Sequence, residues 1–102
     1  MKKTYYAVIF TSERTAGDHG YEAMAKQMVE LASKQPGFLG VESVRNENGI
    51  GITVSYWDSL ETIQQWKKHA VHKIAQEKGK QQWYHRYSVR VCKVEQEYSF
   101  ER

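Results

Sequence analysis

The chain has 102 residues, 15 Lys/Arg against 12 Asp/Glu for a net charge of +3, with 40% hydrophobic and 26% charged residues. That is the make-up of one ordinary globular domain spanning residues 1–102, able to bury roughly 65% of its unfolded surface. It excludes a bilayer-spanning helix, since no apolar run approaches the ~20 residues required, and an internal disulfide or thiol metal cluster, since Cys92 is the only cysteine.

Met1-Lys2-Lys3-Thr4 is followed by no small-residue cleavage site, so no secretory leader is expected and the cytoplasm is the expected compartment. Residues 4–11 are dense in aromatic and β-branched types and read as a strand. Residues 11–20 are polar, with two glycines, and read as a loop in which Asp18 caps the next helix. Tyr21, Met24, Ala25, Met28, Leu31 and Ala32 recur at offsets of three and four, the spacing of an amphipathic helix. Pro36 cannot continue that helix and Gly37 marks its exit.

A second strand runs from Phe38 to Arg45. Asn46-Glu47-Asn48-Gly49 ends in Asn-Gly, a strong hairpin signal, and Ile50 to Trp57 returns. Asp58 and Glu61 have the spacing of an acidic capping box. Leu60, Ile63, Trp66, Ala70 and Ile74 trace the apolar stripe of a second helix, which Gly79 closes. The final strand is expected from Trp83 to Tyr98, with Tyr87, Val89 and Val91 on one face and Tyr84, Ser88, Arg90, Cys92 and Val94 on the other.

The order β-α-β-β-α-β is the ferredoxin-like pattern of an α+β fold: one four-stranded antiparallel sheet with two helices on one face. In the first strand Tyr5, Ala7 and Ile9 oppose Tyr6, Val8 and Phe10, so both sheet faces are apolar. The face without helices needs a cover, and the simplest one is the same face of a second copy in a homodimer.

Charge is uneven. Between Lys67 and Lys93 there are eight Lys/Arg and one acid, Glu77. This fits an anionic ligand or nucleic acid, or simply a solvated face balanced by Glu95, Glu97 and Glu101. RNA-recognition motifs share the element order, but Ile50-Gly51-Ile52-Thr53-Val54-Ser55-Tyr56 lacks their aromatic pattern, so no nucleic-acid partner is expected. No membrane partner is expected either.

Gln35-Pro36-Gly37-Phe38-Leu39-Gly40-Val41-Glu42-Ser43, Gly51 to Ser59, Trp66 to His72, Trp83-Tyr84 and Val89-Arg90-Val91 stand in an order that resembles the antibiotic biosynthesis monooxygenase (ABM) family, in its small bacterial branch. The resemblance covers the chain from about Thr4 to Tyr98. It implies a dimeric α/β barrel with a pocket between each sheet and its helices. Some members of that family oxidise polyaromatic compounds with O₂ and neither metal nor flavin; others cleave haem. The haem-degrading relatives use an Asn on the first strand, a Trp on the second helix and a His about ten residues later. Trp66 matches the Trp, but Gln76 stands at the His position and residues 5–10 hold no Asn. Haem degradation is therefore not expected, and no cofactor is.

Trp66, central in its stripe, is either core packing or a pocket wall. His69 follows one turn later and His72 lies further round. Two histidines at this spacing lack an evident third ligand, so no metal is expected, and His19 and His85 are isolated. The expected roles are His69 and Arg90 in catalysis and Trp57, Trp66, His72 and Tyr84 around a planar aromatic substrate. The alternatives are dimer packing for Trp57 and Tyr84, and a glutamate partner for Arg90. Cys92 reads as a small core residue. The leading expectation for function is a monooxygenase-like dimer, uncertain as an enzyme. The alternative is a non-enzymatic ligand-binding or stress-associated dimer.

Overall fold

A computed structural model describes residues 4–17, 20–76 and 83–102, and of residues 71–76 the backbone alone. The elements are β1 (Tyr5–Arg14), α1 (Tyr21–Ser33), β2 (Phe38–Arg45), β3 (Ile50–Trp57), α2 (Leu60–Gln76) and β4 (Tyr84–Val94). All strand pairs are antiparallel in the order β2-β3-β1-β4, so the chain is ferredoxin-like.

Residues directly opposite in antiparallel strands share a face. Tyr6 pairs with Trp57, Val8 with Ser55 and Val91, and Phe10 with Thr53 and Val89. This face carries the core: Trp57 (0% exposed), Ile63 of α2 and Ala32 of α1, with Tyr6, Val8, Phe38 and Trp66 packed against them. Both helices therefore cover the same side. The opposite side shows Tyr5, Ala7, Ile9, Ile50, Ile52, Val54, Tyr56, Cys92 and Val94, with Ile52 41% and Val44 73% exposed.

Several boundaries differ from the sequence expectation. β1 runs on to Arg14 rather than stopping at Thr11, because Thr11, Ser12 and Glu13 are paired on both sides, to β3 and to β4. The last strand ends at Val94, not Tyr98: Val94 pairs with Tyr5, the first residue of β1, so residues 95–102 have no strand to follow. The second helix is capped by Ser59, whose Oγ accepts the Thr62 N–H at 3.2 Å. Asp58 is still leaving β3, its N–H donating to the Gly37 carbonyl and its carboxylate accepting the Thr62 hydroxyl, so the Asp58–Glu61 box does not form. Gly20, at φ 84°, occupies the cap position of α1; Asp18, His19 and Gly79 lie outside the described residues.

Two turns need their glycines. At the hairpin, Asn46 Oδ1 accepts the N–H groups of Asn48 and Ile50, and Gly49 takes φ 84°. Gly37 also sits at φ 84°, and a Cβ there would run into the Asp58 carboxylate and the Thr62 side chain. Gly37→Ala is expected to cost about 2 kcal/mol or more, from the left-handed backbone plus the clash. A urea melt with an unchanged midpoint would contradict this.

Candidate aromatic site on the helix side of the sheet

The helix side of the sheet carries two groups of rings. In the first, Trp57 stacks on Trp66 (centroids 6.0 Å apart, planes at 23°) and meets Phe38 edge-on. Trp57 is wholly enclosed and its Nε1–H donates to Ser55 Oγ at 2.9 Å. Trp66 is half-buried, so it both packs the core and presents surface. In the second group, Phe10 stacks on Tyr87 at 5.4 Å, and Tyr84 meets Phe10, Tyr87 and Tyr21 edge-on. Trp83, 2% exposed, closes this group against Tyr21.

Val8 and its β4 neighbours Val89 and Val91 lie between the two groups on the same face. Tyr87, Val89 and Val91 are 40–49% exposed, although they face the helix side. The result is an apolar strip along β4, with the Tyr21–Tyr84 group at one end. A separate groove of about 420 Å³, lined by Thr4, Tyr5 and residues 93–97, opens at the far end of β4.

Tyr84 joins this strip through a bulge. Glu13 pairs with Arg86 but Arg14 pairs with Tyr84, so His85 is the extra residue. The bulge turns Tyr84 onto the face of Tyr87 and Val89, where strict alternation would have put it beside Ser88 and Arg90. Burial, and then the neighbouring Tyr21, push the Tyr84 phenol well above its usual range, while Arg45 and Arg14 pull the other way. Tyr84 is therefore a neutral hydroxyl, hydrogen-bonded to Tyr21.

Arg90 pairs with Ile9 on the open side of the sheet, where it is exposed and donates to Ser88 Oγ at 3.0 Å. The structure thus brings Trp57 and Trp66 together, sets Tyr84 on the same face and leaves Arg90 on the other. His69 is exposed on α2 one turn beyond Trp66. The side chains of His72 and Gln76 lie outside the described residues. Cys92 is half-buried on the open side. Among the described residues no three His, Cys, Asp or Glu side chains converge, and no helix is long and apolar enough to cross a membrane.

Sequence reading missed Tyr21, Arg14 and Arg45. The Arg14 Cζ lies 3.7 Å from the Tyr21 ring centroid and the Arg45 Cζ 5.5 Å from it. The available signal was Gly51, a glycine inside a strand, which marks a close approach.

Solved structures share this fold at low identity. Rv0793 from Mycobacterium tuberculosis superposes with a TM-score of 0.75 at 16% identity, covering 93% of this chain and 99% of that one. SnoaB, a cofactor-independent oxygenase from Streptomyces nogalater, gives 0.67 at 8% identity, over 99% and 100% of the two chains. Among curated proteins, the uncharacterized protein YqjZ of Bacillus subtilis (strain 168) is 55% identical over 97 residues, 95% of this chain and 85% of that protein. The family model described as antibiotic biosynthesis monooxygenase matches residues 5–78. With that match spanning both helices and three of the four strands, the chain belongs to the antibiotic biosynthesis monooxygenase family.

Proposed function

We propose that this protein is a small cytoplasmic monooxygenase of the ABM type. It works as a homodimer on a planar aromatic compound, without metal or flavin. The observation that supports this most is the exposed apolar strip Tyr87, Val89 and Val91 on the helix side of the edge strand β4. An exposed apolar strip of this kind is a surface that a flat apolar ligand can cover. SnoaB, which shares the fold, is a cofactor-independent oxygenase. The homodimer rests on the open sheet face, where Ile52 and Val44 are exposed.

In this reading the substrate supplies the electrons. A ring methylene conjugated through its flanking aromatic rings to a carbonyl loses a proton, and the carbanion reacts with O₂. One oxygen atom becomes a new carbonyl, the other leaves as water, and the methylene carbon loses both hydrogens. The protein supplies an apolar surface at Trp66, and the Tyr84 hydroxyl, hydrogen-bonded to Tyr21, stands at one end of the strip. We assign the proton transfer to His69, exposed on α2 one turn beyond Trp66, and keep His72 as a proposed substrate residue on the same helix. Trp57 holds Trp66 in place from within the core. Arg90, on the other face, has no part in the site of its own protomer.

A second reading rests on the exposure of His69, which no described residue buries against the strip. A dimer that binds an aromatic ligand without turning it over has the same surface.

Trp66→Phe tests the site. The variant keeps most of the apolar volume, so it is expected to fold with a loss of about 1–2 kcal/mol. It is also expected to bind anthrone, a planar ketone with an acidic methylene, about tenfold more weakly, having lost the indole N–H and part of the flat surface. Unchanged anthrone affinity in a folded Trp66→Phe protein would make Trp66 structural only.

A further inference from the structure

Arg45 closes β2 at the hairpin, and its side chain lies across the helix side of β3. Gly51 makes the room: a Cβ there would stand 2.6 Å from the Arg45 Cζ and 2.8 Å from Nη2. Gly51 is not among the glycines with positive φ, so its missing side chain serves the guanidinium, not the backbone. Once in place, the guanidinium donates to the Gly49 carbonyl at 2.6 Å, to Tyr21 Oη at 3.0 Å and to Ser12 Oγ at 3.3 Å. Ser12 is only 2% exposed, which makes it a fixed anchor.

All three acceptors are neutral. Among the described residues no carboxylate reaches Arg45, whereas the exposed Arg86 does have one, in Glu13 at 2.9 Å. Arg14 brings a second guanidinium to the same Tyr21 ring. Arg14 also donates from Nη2 to the Gly17 carbonyl at 3.0 Å. An arginine offers five N–H donors and three are used by the contacts above. Nη1 uses one and Nη2 two, which leaves Nε–H and one Nη1–H with no partner among the described residues on this exposed side chain.

We infer that Arg45, seated on Gly51 and Ser12 with Arg14 across the Tyr21 ring, is an anion subsite for a carboxylate or ionised hydroxyl on an aromatic ligand. This rests on the function proposed above and gives its substrate a charge. The subsite stands at the Tyr21–Tyr84 end of the strip, so a ligand whose rings lie along Tyr87 and Val89 places its anionic group beside Arg45. A fixed guanidinium N–H gives a charge-assisted hydrogen bond to one carboxylate or phenolate oxygen.

The test uses 2-naphthoate, its neutral counterpart 2-naphthamide, and benzoate on the full chain. Tryptophan fluorescence at low salt is expected to show 2-naphthoate binding about tenfold or more tightly than 2-naphthamide. Arg45→Gln is expected to remove that preference and Arg45→Lys to keep part of it. Gly51→Ala displaces the guanidinium while leaving its charge, and is expected to weaken the preference in a protein with a normal melt. Equal affinity for the two naphthalenes, or a preference that survives Arg45→Gln, would overturn the subsite. Benzoate separates the two readings through the Arg45 Nε–H resonance of labelled protein. A benzoate shift there with no 2-naphthamide binding keeps the subsite and removes the strip. Binding of 2-naphthamide with no anion preference does the reverse, and no binding of all three removes both.

Discussion

Trp57→Ala is expected to lose about 3–5 kcal/mol, the largest stability effect of any single substitution at the aromatic site. Sequence position favoured Trp66 for that role, but Trp66 is half-buried and Trp57 has no exposed surface. Truncation would empty the space between Ala32, Ile63 and Phe38, and leave Trp66 without its stacking partner. It would also strip Ser55 Oγ of the indole N–H. A domain of this size has roughly 5–15 kcal/mol in total, so the variant keeps a fraction of it. Its melting temperature is expected to fall by about 15–30 °C. A fall of only a few degrees would mean that the core lies elsewhere.

Ile52→Asp is expected to turn a homodimer into monomers. Ile52 stands on the sheet face without helices and is 41% exposed in the protomer, so the isolated fold tolerates a carboxylate there. Against a second copy the same carboxylate becomes a buried charge with no partner, and by two-fold symmetry there are two of them. That costs several kcal/mol, each ~1.4 kcal/mol being tenfold, so the dissociation constant is expected to rise by about a thousandfold or more. Sedimentation of the parent and variant at micromolar concentration reads this directly. A parent protein that sediments as a monomer would contradict the dimer.

Much of the fold was legible because its signals are local. Asn46 and Gly49 set the hairpin, and β2 and β3 begin and end where the apolar alternation does. The errors arose where distant pairing overrides local pattern. Thr11 to Arg14 look like loop, yet strands on both sides hold them in the sheet. Residues 95–98 look like strand, yet β1 offers them no partner. The aromatic site was only partly legible for the same reason. Trp66 was visible from its place in the α2 stripe. Tyr84 was placed on the wrong face, because one bulged residue reverses alternation and no turn residue announces it. Arg45 and Tyr21 are 24 positions apart, and only the folded sheet brings them to one hydrogen bond.

Oxygen uptake with anthrone tests the proposed activity most directly. The protein is incubated with anthrone and a chelator in air-saturated buffer, and O₂ loss above the protein-free rate is followed together with anthraquinone formation. The expected result is one O₂ consumed per anthraquinone formed, with one atom of labelled O₂ in the product and one in water, and a much lower rate for Trp66→Phe. Anthrone that binds with no O₂ uptake above the protein-free rate would contradict the monooxygenase and leave a ligand-binding dimer.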